Sequence, residues 1–269
     1  MNKSVFLATG ALVGTVTASA FAVEPWVDRP LTLQGLTFRG EAGLGLAQAQ
    51  DIFAGMKAGV GAQLDAALGV TNGLELGVRT GYRFSDPAIW SGAAFGAGAD
   101  ANGRLYETET FGQGGDNWTN PELRITSSFL ATRIVSVGLQ ARYVFPFVAK
   151  SDFAGLLGIP IRVQLPKMLR VDTGVYFPYV NTSPQSSWAM SIPAQVYVQV
   201  GDAFAGVLTG IRYNRFGDTN RSDITFGFGG GYTLSSMVDL KAQVYAWRIN
   251  DADWSRTIGG GLAVAVTVP

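Results

Sequence analysis

Cysteine and histidine are both absent from the 269-residue chain. Without cysteine there is no disulfide framework and no thiolate metal site. Without histidine the chain lacks the side chain that most often serves as a general base near neutral pH. Neither sign of charge dominates, with 20 Lys and Arg against 20 Asp and Glu. That balance removes the electrostatic footprint of a nucleic-acid-binding protein. Beyond residue 22 no run approaches the ~20 apolar residues of a transmembrane helix. Yet the chain is apolar for its size, with a mean hydropathy of +0.19.

The first residues carry an export pattern. Met1-Asn2-Lys3 is a short basic start, Val5 to Thr17 is apolar and small, and Ala20-Phe21-Ala22 fits an A-x-A cleavage site. Residues 1–22 are expected to be a cleaved signal peptide. Gly10, Gly14 and the interspersed Ser and Thr spoil a buried helix, and no Cys follows for a lipid anchor. Residues 23–269 show no linker and no change of composition, so they are expected to form one domain.

From about Leu36 onward the chain alternates apolar and polar residues in segments of strand length. The pattern predicts twelve strands, at 35–47, 56–70, 74–85, 121–133, 136–148, 158–166, 169–180, 188–200, 203–214, 223–234, 237–249 and 255–268. Five connections are tight, and Thr71-Asn72-Gly73 is the strongest, because Asn-Gly between alternating runs favours a two-residue hairpin. The others, 48–55, 86–120, 149–157, 181–187, 215–222 and 250–254, are longer and rich in Asp, Asn, Gly, Ser and Pro.

Successive strand side chains point to opposite faces. Leu74, Leu76, Val78, Thr80, Tyr82 and Phe84 share one face against Glu75, Gly77, Arg79, Gly81 and Arg83. Val137, Leu139, Ala141, Tyr143, Phe145 and Phe147 oppose Gln140 and Arg142 in the same way. One face must meet something apolar and the other something wet. Aromatics gather where the strands reach the long connections: Tyr82, Phe84, Phe145, Phe147, Phe177, Tyr179 and Tyr213, with Trp118, Trp188 and Trp254 on the returning strands. A girdle of this kind marks a membrane interface.

On these residues the chain resembles the outer-membrane β-barrel class of Gram-negative bacteria, porin-like and uncharacterised barrel proteins included. Arg29-Pro30-Leu31-Thr32-Leu33 and Gly69-Val70-Thr71-Asn72-Gly73-Leu74-Glu75-Leu76-Gly77 resemble local stretches of such proteins. The resemblance implies an all-β fold: a closed antiparallel up-and-down transmembrane β-barrel of about twelve strands following a cleaved signal peptide. It further implies an outer-membrane location, contact with outer-membrane lipid, and insertion by the barrel assembly machinery as a monomer. The tight turns would face the periplasm and loop 86–120 the outside. The class usually closes on an aromatic residue, whereas this sequence closes on Pro269.

Little in the chain suggests catalysis or a cofactor. Hydrolases of the barrel class rest on a histidine base, which is missing. Glu107 and Glu109 could act as a carboxylate pair, but an exposed acidic loop explains them better. Asp100-Ala101-Asn102-Gly103 lacks the further ligands of a calcium loop. Gly227-Phe228-Gly229-Gly230-Gly231 and Gly259-Gly260-Gly261 fall within strands, away from the helix start that a phosphate loop needs. Sequons at Asn117, Asn181 and Asn220 fall in predicted loops and read as coincidence.

The inward-facing ionisable residues remain. The alternation aims Arg39, Arg79, Arg83, Arg124, Arg142, Arg162, Arg170, Arg212 and Lys241 inward, against Glu41, Asp65, Glu75, Asp172 and Asp239. A wet lumen accounts for so many charges at membrane depth. Small inward residues such as Gly59, Gly61, Gly227, Gly229, Ala263 and Ala265 leave room there. The expected function is passive passage of small hydrophilic solutes along a lumen lined by these fourteen residues, with the basic excess favouring anions. The competing expectation is a non-conducting barrel, its interior filled by paired side chains, with a structural or surface-interaction role carried by loop 86–120.

Overall fold

The computed structural model describes residues 24–51, 55–84, 121–145, 153–182, 185–216, 219–246, 248–252 and 254–269. Among them the chain forms twelve strands: β1 (Phe38–Asp51), β2 (Gly55–Thr71), β3 (Leu74–Arg83), β4 (Glu122–Ala131), β5 (Val135–Val144), β6 (Phe153–Leu165), β7 (Leu169–Thr182), β8 (Gln185–Val200), β9 (Ala203–Phe216), β10 (Thr219–Thr233), β11 (Val238–Ala246) and β12 (Ile258–Val268). Each pairs antiparallel with its neighbours in sequence, and β12 returns to β1 to close the barrel. Closure leaves no sheet edge, so the backbone groups of the wall are satisfied internally, as hydrocarbon surroundings demand.

The tight turns are closed by local chemistry. Asn72-Gly73 links β2 to β3. Gly201 takes φ +59°, which suits a residue without Cβ. The Thr132 hydroxyl accepts from the amides of Ile134 and Val135 at 3.3 and 2.9 Å, and Ser235 Oγ accepts from Met237 and Val238 at 3.2 Å each.

The opposite end departs from expectation. β6 begins at Phe153, β8 at Gln185 and β10 at Thr219, so much of the predicted loops 149–157, 181–187 and 215–222 is strand. β1 and β2 likewise reach Asp51 and Gly55 across the predicted loop 48–55. Polar composition marks the top of the apolar belt, but the hydrogen-bonded ladder continues past it. Two sequons follow: Asn181 lies in β7 and Asn220 in β10, in strands instead of loops. The expected signal peptide 1–22 and loop 86–120, with Asp100–Gly103, Glu107, Glu109 and Asn117, lie outside the described residues.

The two faces of the wall separate as the alternation requires. Leu139, Leu157, Leu262 and Val78 are more than half exposed, while Gln140, Arg162 and Ala263 on the alternate positions are buried. An apolar exterior of this extent suits lipid. Phe84, Phe177, Tyr179, Trp188, Tyr213 and Trp254 are exposed, and Tyr179 stands in register with Trp188 at the end away from the tight turns. Phe147 and Trp118 lie outside the described residues.

Candidate functional site: the lumen and the segment inside it

Residues 24–34 precede the predicted first strand, and alternation assigns them no role. The structure puts them within the barrel at the tight-turn end. Trp26 and Val27 are 3 % and 0 % exposed. The Trp26 indole stacks on Phe204 at 4.1 Å and meets the edge of Tyr197 at 4.9 Å, with Leu208 completing the apolar pocket. The Arg170 guanidinium lies 3.9 Å from the indole centroid, a cation–π contact.

The segment's carbonyls are held by wall side chains. Arg170 donates to Trp26 O at 3.3 Å. Gln164 Nε2 donates to Val27 O at 2.6 Å and Arg29 O at 2.9 Å. Arg162 Nη1 donates to Arg29 O at 2.8 Å and Pro30 O at 2.5 Å. Its amides find partners as well: Val27 donates to Gln199, Leu33 to Glu75 at 3.0 Å, and Gly35 to Asn72 Oδ1 at 2.9 Å. The Arg29 guanidinium grips both oxygens of Asp239. Asp239 also accepts from Thr233 at 3.0 Å.

A belt of ion pairs lies along the same inward face. Arg124 binds Asp65 through two nitrogens at 3.1 and 3.2 Å and reaches Glu75 at 3.5 Å. Glu122 lies between Arg79 at 3.1 Å and Arg142 at 3.6 Å. Arg162 and Arg170 converge on Asp172 at 2.7 Å each through their Nε atoms. Lys241 contacts Glu41 at 2.5 Å. Buried charges demand such partners, because desolvation otherwise outweighs their attraction.

The predicted lumen set is thus placed residue by residue. Glu41, Asp65, Glu75, Arg142, Arg162, Arg170, Asp172, Asp239 and Lys241 are buried inside the wall and paired. Arg79 and Arg124 are half-buried on the same face and paired. Arg212 is buried, in register between Ser191 and Asp223. Arg39 is half-buried, has a buried Nε without a hydrogen-bond partner, and makes no ion pair among the described residues. Arg83 occupies an inward register position of β3, opposite Gly61, and its side chain lies outside the described set. Sequence reasoning missed Trp26, Arg29, Glu122 and Gln164. Glu122 shares the phase of Arg124 and was within reach of the alternation rule. Gln164 likewise shares the phase of Arg162, whereas Trp26 and Arg29 required knowing that the leading segment folds inward.

One sector of the wall is nearly bare. Gly45 lies in register with Gly61 on one side and Gly261 on the other, Gly43 with Ala263, and Gly81 with Gln63. These inward positions carry at most a methyl, except Gln63. Its side chain is 2 % exposed, and both its oxygen and its nitrogen lack partners among the described residues.

No protein-family model and no curated protein matches the chain. Solved structures do match in fold. The outer membrane channel COG4313 from Pseudomonas putida F1 aligns over 92 % of this chain and 98 % of its own, with TM-score 0.58 at 9 % identity. The NanC porin aligns over 85 % and 99 %, with TM-score 0.54 at 7 % identity. The KdgM porin in complex with disordered oligogalacturonate aligns over 87 % and 100 %, with TM-score 0.51 at 9 % identity. At such identities the likeness is one of fold: a closed β-barrel of the kind these channels are built on.

Proposed function

We propose that the chain is an outer-membrane protein of a Gram-negative bacterium acting as a passive channel for small hydrophilic solutes, with anions favoured. The observation that carries this reading is the division of the wall: apolar and exposed outside, ionisable and polar inside, with a bare glycine sector beside the charges. A glycine-lined sector next to fixed charge supports a path for a small hydrophilic solute. Basic residues outnumber acidic ones on the inward face, and rings of Arg and Lys favour anions. The fold shared with three channels supports the same reading, and the acidic sugar named with one of them is a solute class to try.

The reading is transport, not catalysis, since the chain has no histidine. It includes a single barrel inserted by the barrel assembly machinery, the tight turns facing the periplasm, and no cofactor or nucleic-acid partner. A non-conducting barrel is the competing reading, favoured by the ion pairs and by the segment held within the lumen.

Planar-bilayer recording across a salt gradient decides between them. The channel reading expects steady conductance and a reversal potential of anion preference that weakens at higher salt, as screening shortens. A folded, reconstituted barrel without conductance would establish the competing reading.

A further inference from the structure

We infer that residues 24–35 form a displaceable plug that closes the tight-turn mouth of the lumen, a proposal that rests on the channel reading. The segment crosses the mouth instead of following one wall. Trp26 packs on β8 and β9, the carbonyls of residues 26–30 bind β6 and β7, Arg29 reaches β11, and Leu33 reaches β3. Such a path lies across the lumen at that end.

Three features make the plug removable. First, no residue before Leu36 joins the backbone ladder; the segment is held by side chains, whose bonds water can replace. Second, its departure breaks little of the wall's own pairing. Arg162 and Arg170 keep Asp172, and Asp239 keeps Thr233, so Arg29–Asp239 is the one ion pair that must break among those described. Third, the segment leaves β1 through a sharp turn that sets it apart from the wall. Leu36 is 82 % exposed with φ +65°, in the left-handed region. Beside it Gly69 has no room for a Cβ, which would collide with Gln34 O. The latch is Trp26 in its Tyr197–Phe204–Leu208 pocket beneath Arg170. Opening means withdrawal of Trp26.

A disulfide tests this directly, because the chain has no cysteine of its own. The Lys167 amide donates to Asp28 Oδ1 at 2.7 Å, which sets the Asp28 side chain against the Lys167 backbone, so Asp28→Cys with Lys167→Cys is the cross-link to try at the mouth. In planar bilayers the oxidised pair, its bridge verified by mass, is expected to reduce conductance several-fold, with recovery on adding reductant. Deleting 24–34, and separately Trp26→Ala, should raise conductance or open time several-fold above the native chain. Equal conductance in the oxidised, reduced, Trp26→Ala and deletion forms would overturn the plug while leaving the channel reading intact. A folded deletion variant that conducts nothing would overturn both.

Discussion

The tight-turn end of the lumen and the bare sector formed by β12, β1, β2 and β3 solve opposite problems on one inward face. At the turn end nearly every described charge has a partner: Arg162 and Arg170 share Asp172, Arg124 binds Asp65, and Arg29 binds Asp239. In the glycine sector Gly45, Gly61 and Gly261 face inward and carry no side chains of their own, and the Gln63 amide is left unpartnered among the described residues. The first region is arranged as a protein interior is, with most of its charges paired. The second has few side chains of its own to pair or pack. Inward charge alone does not define a pore; the pairing of the charge decides whether it holds the barrel together or acts on what passes.

The sharpest way to break this contrast is to remove one partner at the turn end. Asp172→Asn would leave Arg162 and Arg170 with their shared anion gone. Loss of one member of a buried charge cluster costs about 3–5 kcal/mol, which denaturant unfolding should read as a lower midpoint. A loss below about 1 kcal/mol would mean the pair behaves as a solvated surface contact. Next in size is Trp26→Ala. Truncating a buried aromatic costs about 3–5 kcal/mol, here charged to docking of the leading segment and not to the wall. Hydrogen exchange should quicken at the amides of Val27, Leu33 and Gly35 while the strands stay protected.

In the bare sector the expectation reverses. Gly261→Leu should leave stability within about 0.5 kcal/mol, the range of substitutions that disturb no packed feature, while conductance falls because the space is narrowed. A large destabilisation with unchanged conductance would show that the sector is packed, not open. The smallest effect concerns selectivity. The sequence expectation assigned anion preference to the whole basic set, yet Arg142 and Arg162 are bound to Glu122 and Asp172. Arg39 makes no ion pair among the described residues, so Arg39→Gln should move the reversal potential toward cations more than Arg142→Gln does.

Much of the barrel was legible because a period of two survives any register. Leu139 out and Gln140 in follow from the pleat alone, and so does the same-face proximity of Arg170 and Asp172. The strand ends were harder to place. β6, β8 and β10 continue past the apolar belt, where polarity no longer separates strand from loop. Pairing across strands was hidden as well, since Lys241 meets Glu41 from positions two hundred residues apart. Most hidden was the leading segment. Trp26 and Arg29 belong to no periodic run, and only the closed wall creates the pocket and the carboxylate that receive them.

Thiol reactivity at two lumen positions tests the central contrast most directly. In the cysteine-free chain, Gln243→Cys would place a thiol on β11 in register with Gly261, and Gln164→Cys would place one beneath the leading segment. The account predicts that a small water-soluble thiol reagent modifies position 243 quickly and blocks current. Position 164 should react slowly until residues 24–34 are removed, and then about as fast. Equal, fast reaction at both positions in the full chain would contradict a lumen that is open along one sector and closed at one end by its own N-terminal segment.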